Sequence, residues 1–412
     1  VTAGARRSLA VLFGVNLLNF YDRLAPGALA EPLRREFDLS DAQIGALATA
    51  FTLVYAVAGL PLGRLADRVS RKKLLAAGLA VWSSLTALGG IAPAYWWLAI
   101  TRIGVALGEA VCAPAATSWI GDLYPPERRA APLARFMLAV PIGVALSFIA
   151  SGALAGALGW RAALALAAAP AVVLFPLLLS LSEPRRGATE EAKAPAREFR
   201  LARSAVFWWI VASGALVNFA LYAVSTFLPA FFARWHGLTV GSAGLWSGLT
   251  HLAGGLAGGG LAGWAGDAYP RRRLAIAAAA TIGAAPFAAL APSVAKGSVL
   301  ACAAAAAAAY GLLNMYYGLV YAALQDVVGP GLRATAMAVY FLAMYLCGAS
   351  FGPLLTGALS DWFARAAAAS GPLTEAHRAA GLQQAFFVVP AMCVAVALTL
   401  GMAARTMARR RL

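Results

Sequence analysis

Continuous apolar runs of about 20 residues, the length that crosses a bilayer as a helix, recur along this chain. They restrict its fold more than any other feature. Lipid offers no hydrogen-bond partner to backbone N–H and C=O groups, so such a run must satisfy them internally. Twelve candidate spans follow: residues 8–30, 42–63, 74–92, 96–120, 132–158, 162–181, 205–233, 241–264, 274–292, 298–324, 333–360 and 380–404. Only 12% of residues are charged and 61% are hydrophobic, against about 25% charged in soluble domains. The chain is therefore read as an all-α integral membrane protein.

The net charge of +16 would suit a nucleic-acid partner, but the basic residues sit in short links between spans. There they set orientation, and no nucleic-acid role is expected. Arg6-Arg7, Arg64–Lys73, Arg128-Arg129, Arg185–Arg203, Arg271-Arg272-Arg273, Arg333 and Arg405–Arg411 all fall on one side. That side is expected to be cytoplasmic and to hold both termini. Glu31–Asp41, Trp160-Arg161 and Arg234-Trp235-His236 fall on the other. The first apolar run imitates a secretory signal, but Asn19, Asp22 and Arg23 interrupt it, so a first span is expected. Cys112, Cys302, Cys347 and Cys393 lie alone in apolar segments and read as small core residues. His236, His251 and His377 are too scattered for a metal site. No metal or cofactor is expected.

The two halves repeat. Gly63-x3-Asp67-x3-Arg71-x-Lys73 returns as Gly263-x3-Asp267-x3-Arg271-x-Arg273, Asp122-x6-Arg129-Ala130 as Asp326-x6-Arg333-Ala334, and Leu39-Ser40-x4-Gly45 as Leu238-Thr239-x4-Gly244. This gives two six-helix halves, 1–182 and 205–412, joined by a charged cytoplasmic linker at 183–204. Parallel halves with a site between them near the midplane are a known transporter plan.

Asp22, Arg23, Arg102 and Glu109 are charges inside apolar spans. Each costs about 2.5–3.5 kcal/mol near the bilayer centre on insertion scales. Such groups face partners or wet cavities and mark ion or substrate paths. Counted at 1.5 Å per residue, the Asp22/Arg23 pair falls in depth between Arg102 and Glu109, which lie seven apart on one helix face. Exchange of ion pairs is the expectation: Asp22 with Arg102 in one state, Arg23 with Glu109 in another. That would couple proton movement to conformation. A static cluster that only holds the first half together is the competing reading. The second half has no equivalent charges. Its candidate substrate contacts are Asn218, Tyr222, His251, Asn314, Tyr317 and Tyr340, with Asn19, Thr52 and Tyr55 in the first half.

Gly63-Arg64-Leu65-Ala66-Asp67-Arg68-x2-Arg71-Lys72-Lys73 resembles the signature loop of the major facilitator superfamily. Here Gly63 is expected to permit close helix approach and Asp67 to sit at a helix N-terminus. Gly63, Asp67, Arg68, Arg71 and Lys73, with Asp267 and Arg271 in the repeat, form the expected intracellular gate. It would close by an Asp67 contact near the start of span 11 at Arg333. Asn19-Phe20-Tyr21-Asp22-Arg23, Phe37-Asp38-Leu39-Ser40-Asp41, Arg102-Ile103-Gly104-x3-Gly108-Glu109-Ala110, Tyr124-Pro125-Pro126-Glu127-Arg128-Arg129-Ala130 and Ser182-Glu183-Pro184-Arg185-Arg186-Gly187 narrow the likeness. These resemble the Spinster family. The resemblance implies a proton-linked transporter of single-chain amphiphilic lipids, such as lysophospholipids or sphingoid phosphates; a monomer in a bacterial inner membrane is expected. The charged head would meet Arg23 or Arg102. A proton-coupled drug or metabolite exporter of the same fold is the alternative. An enzyme would need a nucleophile–base set or metal cluster, and neither is present in the sequence. A sensor would need a soluble domain, for which the longest loop is too short.

Overall fold

The computed structural model describes residues 3–125, 128, 130–186, 204–328 and 333–409, and among these no strand occurs. The expectations placed on Pro126, Glu127, Arg129, the linker beyond Arg186 and the side chain of Arg333 lie outside the described residues.

Helix α1 (Ala3–Ala28) is continued by α2 (Ala30–Phe37), since Leu29 N–H still reaches the Ala25 carbonyl. Then come α3 (Asp41–Ala66), α4 (Arg71–Gly89), α5 (Tyr95–Glu109), α6 (Cys112–Leu123), α7 (Ala130–Met137), α8 (Ala139–Ala167) and α9 (Ala169–Leu179). After the linker follow α10 (Ala205–His236), α11 (Val240–Ala268), α12 (Arg273–Ser293), α13 (Val299–Val327), α14 (Arg333–Ala343), a π-helical segment (Met344–Ala349), α15 (Phe351–Ala368), α16 (Glu375–Ala385) and α17 (Val388–Arg409).

Among the described residues these elements make twelve rods. Eight stretches among the described residues are long and apolar enough to cross a membrane, and one of them, Ala131–Leu179, has 49 residues. That stretch is two rods, because Gly159 at φ 84° and ψ 160° turns the chain inside α8. The left-handed region is one glycine enters without penalty. The remaining rods are α1, whose apolar face is broken by Asn16, Asn19, Asp22 and Arg23, the short α4, and the glycine-rich α11.

Proline explains where the rods loosen. It has no N–H to give to the carbonyl four residues earlier. Pro114, Pro141, Pro353 and Pro390 each follow a helix break, at 110–111, 138, 344–350 and 386–387 respectively. In the rods that carry Pro141 and Pro353 the breaks thus lie three or more residues before the proline. In span 11 the loosening is a π segment in which Ser350 N–H reaches back to Tyr345 O at 3.0 Å.

The described chain forms two compact units. Unit 1 holds residues 1–37, 50–194 and 240–248; unit 2 holds 38–49, 195–239 and 249–412. In unit 1, α1 packs on α8 and α4 on α5 around Leu12, Val15, Trp82, Val105, Trp119 and Phe136, all buried. In unit 2, α10, α12, α13 and α17 pack around Phe207, Ile210, Phe227, Phe232 and Tyr316. The start of α3 belongs to unit 2 and the start of α11 to unit 1, so each unit takes one helix end from the other half of the sequence.

Candidate functional site

The four intramembrane charges converge in unit 1. Asp22 and Arg23 lie on α1, Arg102 and Glu109 on α5, and all four are at least nine-tenths buried. Arg23 Nε meets Glu109 Oε2 at 3.3 Å. Arg23 Nη2 donates to Asn19 Oδ1 at 3.0 Å, and Asn19 Nδ2 donates to the Glu109 carbonyl at 3.4 Å. Asn19 is therefore a strut between the two helices. Glu109 is the last residue of α5, next to the loosened turn before Pro114. The guanidinium of Arg23 also lies over Tyr55 at 4.2 Å and Phe20 at 4.6 Å. Such faces stabilise a desolvated cation by roughly 2 kcal/mol or more.

Asp22 is placed differently. Arg102 Nη2 donates to its backbone carbonyl at 2.9 Å, not to its carboxylate. The carboxyl is fully buried, and among the described residues neither oxygen has a well-formed hydrogen bond. Its polar neighbours are Thr86 and Trp82. Of the two pairings read from the sequence, the structure thus brings together Arg23 and Glu109, while Arg102 reaches only the main chain of Asp22. Buried groups left unpaired are rare and repay explanation.

Tyr55 stacks on Phe51 with centroids 6.1 Å apart, and Thr52 beside it is buried. The remaining candidates lie in unit 2. Tyr317 donates to Asn218 Oδ1 at 3.0 Å, and Asn218 Nδ2 donates to Gly214 O. Tyr222 packs edge-on to Tyr345. Asn314 is half-buried. Tyr340 is fully buried and bonded to Tyr316, which bonds Ser213 at 2.7 Å, so it is a packing tyrosine held in a hydroxyl chain. His251 has Nε2 3.1 Å from Ser225 Oγ and its ring against Tyr310 at 4.5 Å.

The signature loop differs from expectation in three respects. A Cβ on Gly63 would meet nothing nearer than Pro114 at 3.8 Å, so no close helix approach depends on it. Asp67 is exposed just past the end of α3, and the carboxylate at the N-terminus of α4 is Glu183 from the linker. Glu183 accepts from Ser70 Oγ at 2.6 Å, Arg71 N at 2.9 Å and Lys72 N at 3.3 Å. Burial pushes the Glu183 carboxyl up, but these donors together with the Arg71 guanidinium outweigh it and hold it below its ordinary value. Arg186 then caps α3, donating to the carbonyls of Ala66, Asp67 and Val69. Arg71 is fully buried at the centre, paired with Asp122 and with Glu183 at 3.1 Å. Arg68 and Lys73 are exposed. In the repeat, Arg273, not Arg271, pairs with Asp326 at 2.7 Å, and Asp267 and Arg271 are exposed. The two loops therefore superpose chemically two residues out of the register read from the sequence.

A second ionic cluster, in unit 2, was not anticipated. Arg234 Nη1 and Nη2 donate to the two oxygens of Asp41, both at 2.8 Å. Ser360 Oγ donates to Asp41 Oδ2 at 2.6 Å, and Asp361 accepts from Asp41 N and Ala42 N. The sequence signals were the motif Phe37–Asp41 and the repeat of Leu39-Ser40-x4-Gly45 at 238–244. A Cβ on Gly45 would enter the Pro353 carbonyl, and one on Gly244 the Phe148 carbonyl, so both glycines mark tight helix crossings.

The family model of the Major Facilitator Superfamily matches residues 12–353. The chain is 36% identical to an MFS-type efflux pump of Mycolicibacterium smegmatis over 87% of its length and 86% of that protein. It is 31% identical to protein spinster homolog 1 of Bos taurus, covering 86% of this chain and 72% of that one. It is 28% identical to the sphingosine-1-phosphate transporter SPNS2 of Xenopus tropicalis, covering 84% and 72%. Among solved structures, a bacterial homologue of the human lysosomal transporter Spinster, in an inward-facing and unoccupied conformation, matches with a TM-score of 0.85 and 26% identity over 99% of this chain and 98% of that one. With its twelve rods, its paired loops and its buried charges, this chain is a transporter of the spinster family within the major facilitator superfamily.

Proposed function

We propose that the protein is a proton-coupled carrier of single-chain amphiphilic lipids that works by alternating access. The observation that carries the reading is the Asp22 carboxyl, wholly buried with no well-formed hydrogen bond, beside the Arg23–Glu109 pair and Arg102. Leaving a charge unpaired in a dry interior costs several kcal/mol, and binding or release of a proton is the least costly way to change such a cluster. Arg23 and Arg102 are the cations on which an anionic head group would act. Competition between that head and Glu109 for Arg23 would link substrate to proton. No cofactor is needed; the proton gradient supplies the energy.

The lipid part of the reading is supported by the spinster relatives, one of which is named for sphingosine-1-phosphate. In this reading the Asp41 end of α3 faces outward and the Arg71 loop faces the cytoplasm, with both termini, as the excess of Lys and Arg beside that loop requires. The monomer is the working unit, in a bacterial inner membrane. A drug or metabolite exporter is the second reading, favoured by the 36% identity to an efflux pump.

The test is transport of lysophosphatidylcholine and lysophosphatidylethanolamine in proteoliposomes, with and without a pH gradient, for wild type, Asp22→Asn and Glu109→Gln. Gradient-driven uptake lost in both folded variants is the expected result. Transport of neither lipid would remove the lipid substrate, and undiminished gradient dependence in both variants would remove the coupling role.

A further inference from the structure

Asp22 is not the only group at its position that lacks a partner. Among the described residues both of its carboxyl oxygens, the indole N–H of Trp82 and the hydroxyl of Thr86 are buried without a well-formed hydrogen bond. Asp22 and Trp82 are wholly buried and Thr86 is 2% exposed. Trp82 and Thr86 are four residues apart on α4, so they share one helix face, and both stand beside the Asp22 carboxyl. A buried polar group without a partner is costly and rare. Here two donors and two acceptor oxygens stand open together, equal in number and opposite in kind.

The other groups around the carboxyl are directed elsewhere. Arg102 on α5 gives Nη2 to the main-chain carbonyl of Asp22, and its guanidinium lies over Phe51 at 5.2 Å. Arg23 on α1 is turned to Glu109 and Asn19. Glu109 on α5 is an acid like Asp22 and has no proton to give when ionised. Tyr21 on α1 is within electrostatic range but bonds Ser151 on α8 at 3.0 Å. An indole N–H only donates, whereas a hydroxyl donates or accepts. An ionised carboxylate can take both donors at once. A protonated one can still give its hydrogen to Thr86, but it has less to offer Trp82. Hydrogen bonds made to the charged form favour that form, so the pair favours the anion, and Trp82 does so more one-sidedly.

We infer that Trp82 and Thr86 are positioning residues for Asp22, which donate to its two oxygens when it is ionised and so set the pH at which it exchanges its proton. The inference rests on the coupling role proposed for Asp22. It requires only a slight approach of α1 and α4, because the three side chains already adjoin.

The protein in phosphatidylcholine nanodiscs would be titrated by infrared difference spectroscopy, which follows the carbonyl stretch of a protonated carboxyl. The band lost in Asp22→Asn reports Asp22. Trp82→Phe and Thr86→Val are expected to move its midpoint up by about one pH unit or more, because a hydrogen bond to a charged group is worth about tenfold or more in equilibrium. The larger shift is expected in Trp82→Phe. Thr86→Ser keeps the hydroxyl and should keep the wild-type midpoint. The Thr86 pair of variants carries the test if Trp82→Phe does not elute as a monodisperse peak. A wild-type midpoint in both Trp82→Phe and Thr86→Val would overturn the inference while leaving Asp22 as the titrating group. Equal shifts in Thr86→Val and Thr86→Ser would also overturn it, since packing rather than the hydroxyl would then be the cause. An Asp22 carboxyl that does not titrate at all would remove the coupling role itself, and this inference with it.

Discussion

Arg234 clamps both oxygens of Asp41, 193 residues away in sequence, at 2.8 Å each, with the two side chains 2% and 3% exposed. Bidentate pairing of a planar guanidinium with a carboxylate is the strongest form of side-chain ion pair. Removing one partner of a buried pair costs about 3–5 kcal/mol, because the other charge is left uncompensated. Arg234→Gln is therefore expected to release residues 38–49 from unit 2. Hydrogen exchange of that segment would rise by a factor of ten or more. Unchanged protection would show that the glycine crossings alone hold it.

Those crossings give their own prediction. Gly244→Val would push a side chain into the Phe148 carbonyl, and Gly45→Val into Pro353. Overpacking of this kind costs about 1–3 kcal/mol. Gly63→Ala meets only Pro114 at 3.8 Å, and near the end of a helix it should be neutral or stabilising by up to about 1 kcal/mol. Thermal unfolding in detergent would rank the three. A Gly63→Ala variant as damaged as the other two would restore the close-approach role that the loop motif suggested.

Asp22 and Glu109 should differ in stability even where both abolish coupling. Asp22→Asn removes a charge whose oxygens have no well-formed hydrogen bond, so it should not lower the melting temperature. Glu109→Gln removes the partner of the buried Arg23, and melting should fall. The reverse order would mean that the Asp22 carboxylate is paired and that Arg23 does not depend on Glu109.

Glu183 predicts an acid limit. Its folded value lies below the ordinary 4.5. A carboxyl depressed on folding stabilises the protein above its unfolded value, and that contribution is lost as pH falls through the folded value. The clamp on α4 should thus be complete at neutral pH and weaken as pH falls below the ordinary value of 4.5. Melting temperature followed across that window should drop more steeply for wild type than for Glu183→Gln. Parallel curves would remove Glu183 from the acid response.

The apolar runs were enough to place the rods, because backbone hydrogen bonding in lipid leaves a long apolar stretch no other form. The helix breaks were not read from the sequence; they fall upstream of the prolines, near the carbonyl that loses its donor. Asp22, Arg23, Arg102 and Glu109 stood out because charge inside a span is expensive wherever it lies. Partners could not be read in the same way. That Arg23 takes Glu109, that Glu183 rather than Asp67 holds the start of α4, that Arg273 answers Arg71, and that Asp41 meets Arg234 are all facts of tertiary structure. Helical periodicity fixes which face a side chain occupies. An ion pair is decided by a few ångströms between helices, and only the packing of one rod on another sets that distance.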